Sequence, residues 1–241
     1  MRLIGIDIHR DFCEVAICED GRVRSAGRIA TSVAEPGLFA QSLASDDVVA
    51  LEATSGAGLI VDLLERRVAR VLVANTRKLP QISRAKAKTD RLDARTLARL
   101  AAIGMLETVW APDEQIRALR RVCARRESLV RAKSEAHAVL ARNLCGRPPI
   151  SDCFGKAGRV WPAALELPVD ERLTLDGCPR QVDFLDEELG ALERALAEQA
   201  LGSPQIRRLM TIPGVNVHTA AAFIAAIGDI GRFPSARHPV G

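Results

Sequence analysis

The sequence predicts an α/β protein: a mixed sheet with helices packed on it, followed by a long helical arm and the start of a third, helical region. Three observations carry this prediction. The first thirty residues hold three short apolar runs separated by turn signals. Residues 47–75 then read apolar run, amphipathic helix, apolar run. From Thr89 onward the apolar spacing changes to three and four, and residues 113–145 contain no Gly or Pro.

Taken in order, residues 2–9 (RLIGIDIH) and 12–18 (FCEVAIC) read as buried strands, and Asp20-Gly21 marks the turn into a third strand at 23–30. Residues 47–53 (DVVALEA) form a fourth strand, apolar on both faces. A helix at about 57–68 and a fifth strand at 70–75 complete a β-α-β unit. Leu97, Leu100 and Gly104 share one face of a helix that Pro112 closes. Ile116, Leu119, Cys123, Val130, His137, Leu140 and Leu144 line the long helix of 113–145. Residues 146–162 are rich in Gly and Pro and read as loop, and a second helix at about 180–200 is placed to run antiparallel to the first. The expected domains are 1–112, 113–205 (with loop 146–180) and 206–241.

Composition narrows the function. Apolar residues are 48% and charged residues 27%, which excludes disordered and collagen-like classes. No run approaches the roughly 18–20 apolar residues that span a bilayer, and the first residues are too short and too acidic for a signal peptide. A cytosolic chain is therefore expected, nucleoid-associated in a prokaryote. The six cysteines form no C-x-x-C pair, which argues for reduced, packed thiols and against zinc. The net charge is only +4, but it is unevenly spread. Residues 77–99 carry eight basic and two acidic side chains, 113–145 eight and four, and 170–199 three and nine. A polyanion-binding surface beside an acidic helix fits this alternation. Aromatic residues are 3% with no Tyr, so base stacking is not expected to carry recognition.

Acids stand where structure alone would not put them. Asp7 interrupts L-I-G-I-D-I and Glu52 interrupts V-V-A-L-E-A, and an ionised carboxylate in a buried strand costs several kcal/mol unless paired or bound to a cation. Asp90 and Asp93 lie three apart in K-T-D-R-L-D-A-R and share a helix face directed toward the sheet. Each has a plainer explanation, as a strand-end acid facing water or as a cap at a helix N-terminus. Together, flanked by Lys86, Lys88, Arg91 and Arg95, they suit hard divalent cations with a nucleic-acid backbone held alongside.

These motifs, G-I-D-I-H-R-D, L-E-A-T-S-G and K-T-D-R-L-D-A-R-T-L-A-R-L, resemble the N-terminal domain of the insertion-sequence-110 family of DEDD transposases. W-P-A-A-L-E-L-P resembles the family's middle region, and the stretch from L-M-T-I-P-G-V to I-G-R-F resembles the start of its C-terminal domain. The resemblance implies a RuvC-like, ribonuclease H-like fold and a catalytic, metal-binding tetrad of Asp7, Glu52, Asp90 and Asp93 with Mg2+, as two ions. It also implies DNA cleavage and strand exchange in transposition, a structured guide (bridge) RNA as partner, and assembly as a homodimer or dimer of dimers. Nucleic-acid contacts are expected from Lys86, Lys88, Arg91 and Arg95, and from Arg120, Arg121 and Arg125 on the long helix. Ile212-Pro213-Gly214-Val215-Asn216 before an Ala-rich helix reads as a helix-hairpin-helix. There Gly214 and Asn216 would take positive φ and offer N–H groups to phosphate, an ordinary inter-helix turn being the plainer alternative.

The family's nucleophilic serine lies in a Ser-Gly context beyond the R-F segment. The 241 residues stop short of it, and Ser235 precedes the expected place, so a truncated chain is expected. Two other functions stand beside the transposase: a catalytically incomplete nucleic-acid-binding remnant, and a junction endonuclease that uses water. An actin-like kinase is excluded by bulky Ile8-His9-Arg10 where a phosphate loop needs small residues.

Overall fold

The computed structural model describes residues 1–32, 34–54, 56–75, 90–143, 155, 160, 164–235 and 237. Lys86 and Lys88, and nearly all of the expected loop at 146–162, lie outside the described residues. The chain divides into two compact units, Met1–Glu114 and Gln115–Gly241.

The first unit holds β1 (Leu3–Ile8), β2 (Phe12–Glu19), β3 (Arg22–Ala30), α1 (Ala34–Gln41), β4 (Val48–Glu52), α2 (Ala57–Glu65), β5 (Arg70–Ala74) and α3 (Asp90–Ala102). The sheet order is β3-β2-β1-β4-β5. The first three strands are antiparallel neighbours, and β4 and β5 run parallel to β1. This mixed architecture is compatible with a ribonuclease H-like fold. Asp20 and Gly21 take φ of 48° and 73°, the paired positive values that a tight hairpin demands.

Strand alternation sorts the sheet into two unlike faces. Ile4, Ile6, Val15, Ile17, Val49 and Leu51 form the main core with Ile60, Val61 and Leu64 of α2. The opposite face is built from small residues: Gly5 on β1, Ala16 on β2, and Ala50 and Ala74 on β4 and β5. There α3 lies with Ala94, Leu97, Ala98 and Leu100 buried. At Gly5 the approach is so close that a Cβ would sit 2.1 Å from the Ala94 carbonyl oxygen and 2.6 Å from the Ala98 nitrogen. Glycine on the strand and alanines four apart on the helix are what permit this contact.

The helix α1 has no counterpart in the sequence reading. Its Pro36-Gly37 looks like a turn, yet Pro36 falls in the first turn of the helix, where no hydrogen bond is lost.

In the second unit, α4 (Glu114–Asn143) and α5 (Val169–Gly202) are long helices, followed by α6 (Pro204–Leu209), α7 (Val217–Ile227) and a 3-10 turn at Ile230–Arg232. Leu129 clusters with Leu185 and Leu189, and Leu119 with Leu196, so α4 and α5 run antiparallel. Arg125–Glu188 (3.6 Å), Arg126–Glu193 (3.3 Å) and Lys133–Asp186 (2.5 Å) join the basic helix to the acidic one, as the charge pattern suggests. Two expectations need correction. Residues 169–180, expected as loop, are helical straight through Pro179. Leu175 and Cys178 are buried against Val139, and that packing outweighs the local breakers Gly177 and Pro179. Gly214 has the expected positive φ of 85°, but Asn216 does not. Asn216 is extended (φ −91°, ψ 175°) and caps α7, its side-chain oxygen accepting from the Thr219 N–H at 2.9 Å. Among the described residues, no helix is long and apolar enough to cross a membrane.

Candidate active site

The small-residue face of the sheet ends in acids. Asp7 follows Gly5 by one alternation at the C-terminal end of β1, and Glu52 follows Ala50 in the same way on β4. The last paired positions of these parallel strands are Ile6 and Leu51, so Asp7 and Glu52 are the next residues on each. Glu14 of β2 stands opposite Asp7. From above, α3 brings Asp90 and Asp93 in its first turn, where the positive end of the helix dipole favours carboxylates.

Asp7 is 3% exposed, and His9 Nε2 lies 2.9 Å from its Oδ2 and 3.3 Å from Oδ1 of Asp90. Asp7, His9 and Asp90 each offer a ligand atom within 4.8 Å of the others, a group able to hold a metal ion. Burial pushes the Asp7 carboxyl above the ordinary carboxylate range. The charge and hydrogen bond of His9 pull it down, and the charges of Glu52 and Asp93 push it up again. Of the expected tetrad, the close group therefore holds two members. Asp7 and Asp90 meet within ligand distance, and Glu52 and Asp93 are felt through their charge. Burial and the Asp7 charge also push the Cys13 thiol up to about 11, so Cys13 is a packed, un-ionised thiol.

A second layer holds this group. Glu14 is 4% exposed and accepts from Arg28 Nε at 2.7 Å. The Arg28 guanidinium lies over the Phe12 ring at 4.1 Å and reaches to 4.0 Å from Asp90 Oδ2. Arg95 donates to the Val23 carbonyl at 3.3 Å, tying α3 to β3.

The other expected contact residues are more scattered. Arg91 is exposed beside the acids. Arg120 donates to the carbonyls of Ala225 and Ala226 at the end of α7, and Arg125 pairs with Glu188. Arg121 is exposed on α4. His9, Glu14 and Arg28 are given no site role by the sequence alone. Glu14 carries the same signal as Asp7, an acid within the apolar run F-C-E-V-A-I-C, and His9 follows Asp7 on the same strand face.

The acids of β1 and β4 lie at the C-terminal ends of two neighbouring inner strands, beneath a helix N-terminus, in a chain that is similar to transposases. A family model described as "Transposase", of the DEDD IS110 type, matches residues 4–146, and one described as "Transposase IS116/IS110/IS902 family" matches residues 206–240. The chain belongs to the IS110 family of transposases. It is 28% identical over 161 residues to "Putative transposase y4qE" of Sinorhizobium fredii (strain NBRC 101917 / NGR234). That match covers 65% of this chain and 38% of the relative.

Proposed function

We propose that this chain carries the cation-dependent DNA-cleaving site of an RNA-guided transposase, with Asp7, Glu52, Asp90 and Asp93 as its acids and Mg2+ as its metal. The observation that supports it best is the meeting of Asp7 and Asp90, eighty-three positions apart in sequence, around one imidazole within 4.8 Å. The donor set suits the group. A carboxylate that burial and like charges disfavour as an anion gains most from a cation. Bound divalent ions, in the reading a pair, would activate the attacking group and offset charge building on the phosphodiester.

The protein's part is positional. Asp7 is fixed by the central strand, Glu52 by its neighbour, and Asp90 and Asp93 by the helix seated on Gly5. Arg28 reaches to 4.0 Å from Asp90, and Arg91, exposed and next to Asp90 in sequence, is read as a phosphate contact. The helix pair α4 and α5 and the α6–α7 hairpin are read as nucleic-acid and subunit contacts, with Arg120, Arg121, Arg125, Gly214 and Asn216 as candidates. Strand exchange, guidance by a structured RNA and assembly of two or four copies belong to the same reading.

Supercoiled plasmid incubated with the protein and Mg2+ tests the core of it. Nicking in the wild type, lost with EDTA and in Asp7→Asn and Asp90→Asn, is the expected result. Nicking that survives Asp7→Asn would remove the acids from the chemistry, and binding without nicking would leave a nucleic-acid-binding module.

A further inference from the structure

We infer that His9 is a nitrogen ligand in this cation site, making it a mixed Asp-His-Asp site that prefers Mn2+ and later divalent ions over Mg2+. The inference rests on the divalent-cation reading of the acids and goes beyond it by adding a donor of another chemical kind.

His9 Nε2 is the point at which the two segments meet, 2.9 Å from Asp7 Oδ2 and 3.3 Å from Asp90 Oδ1. Metal–ligand distances near 2.0–2.2 Å place adjacent donors on one ion about 3 Å apart, so these hydrogen-bond separations are also short enough for neighbouring ligands on one ion. The ring is also held in place. The His9 backbone N–H donates to the Phe12 carbonyl at 2.9 Å, fixing the backbone at the β1–β2 hairpin, and the imidazole lies 5.0 Å from the Phe12 ring, centroid to centroid. In the ligating tautomer Nδ1 carries the ring proton and the Nε2 lone pair faces the carboxylates.

Donor chemistry sets the consequence. Mg2+ demands oxygen ligands and gives up water reluctantly, whereas imidazole suits the transition ions. Mn2+ should therefore bind more tightly than Mg2+. Removing His9 should weaken Mn2+ by about tenfold or more while changing Mg2+ much less, since Mg2+ can replace the nitrogen with water.

Electron spin-echo modulation of Mn2+ bound to the wild-type full chain reads the ligand directly and needs no variant. Nitrogen-14 modulation from imidazole is expected, and its loss in His9→Gln assigns it to this residue over the other histidines. Calorimetric titration of both proteins with Mn2+ and with Mg2+ should show the selective loss for Mn2+. Mn2+ bound without nitrogen modulation, or bound equally by His9→Gln, would overturn the inference and leave the carboxylate site standing. A wild-type chain that binds neither ion would overturn both readings.

Discussion

Replacing Gly5 by alanine adds one methyl group at the point where α3 touches the sheet, and the structure fixes what that methyl meets. Its Cβ would lie 2.1 Å from the Ala94 carbonyl oxygen and 2.6 Å from the Ala98 nitrogen. Both are backbone atoms in mid-helix, so no side-chain rotation relieves the clash. To reach even 3.0 Å the helix must withdraw by about 0.9 Å. A gap of that size forfeits about a quarter to a half of the dispersion well for each contact along the seam. Overpacking of this kind costs about 1–3 kcal/mol, and backbone against backbone belongs at the top of that range. A fall in Tm on the order of 10 °C follows for a unit of this size. The same withdrawal carries Asp90 and Asp93 away from Asp7, so the rise in Tm on adding Mn2+ should shrink as well. Gly37→Ala is the control, because Gly37 sits in α1 with nothing within 4 Å of its would-be Cβ. That change should be neutral or stabilising by about 0.5–1 kcal/mol. Thermal and urea denaturation with and without Mn2+ measure all of this. Gly5→Ala as stable as wild type, with an undiminished cation response, would refute the seating of α3 on β1.

Other expectations follow from the same contacts. Asp7→Asn should stabilise the cation-free protein, because it removes a carboxylate whose ionisation burial disfavours. Because the folded-state pKa of Asp7 is raised, the folded chain holds the proton longer than the unfolded chain, and stability falls as pH rises from about 4 through that raised value. Melting in EDTA should therefore show the Asp7→Asn advantage growing from near zero at pH 4 to its full size at neutral pH, and a constant gap would count against it. Arg28→Ala leaves Glu14 buried without its cation, and since Arg28 is 59% exposed a loss of about 1–2 kcal/mol is expected by urea denaturation. In the second unit, Asn216→Ala removes the cap of α7 for about 1 kcal/mol. Hydrogen exchange should register it as faster exchange of the Thr219 amide.

Much of the sheet was legible because its signals are local. The alternation of strands, the Asp20-Gly21 turn and the shift to a three-and-four period each occupy a few adjacent residues. The structure departs from the sequence reading where tertiary packing overrides such signals. Gly177 and Pro179 sit inside a helix because the neighbouring Leu175 and Cys178 are buried. The site divides in the same way. Asp7 and Glu52 stand out as charges in apolar strands, and the D-x-x-D spacing places Asp90 and Asp93 on one face. Arg28 reaches Glu14 and Asp90 only through the register of β2 and β3, which shifts between Val15 and Ala16, and nothing local encodes that shift. Nor does local sequence distinguish Arg120, which ties down the end of α7, from the arginines around it.

Two buried aspartates in the first unit, Asp7 and Asp47, sit in opposite electrostatic environments. Asp47 is 0% exposed. Burial alone would raise its pKa, but hydrogen bonds from the Arg2 side chain and from the N–H groups of Ala44 and Arg2 hold the carboxyl below the ordinary range. Its contribution to stability is present above about pH 4 and is lost as pH falls through the depressed value. Asp7 is nearly as buried, yet its environment opposes ionisation. The same conservative change should therefore act in opposite directions. Asp47→Asn strands the Arg2 guanidinium and should cost about 2–3 kcal/mol at neutral pH, whereas Asp7→Asn should gain stability without cations and forfeit their stabilising effect. Parallel melts of the two variants in EDTA and in Mn2+ would decide the matter. If both substitutions destabilise the cation-free chain alike, Asp7 is a satisfied structural acid like Asp47, and the cation site loses its physical basis.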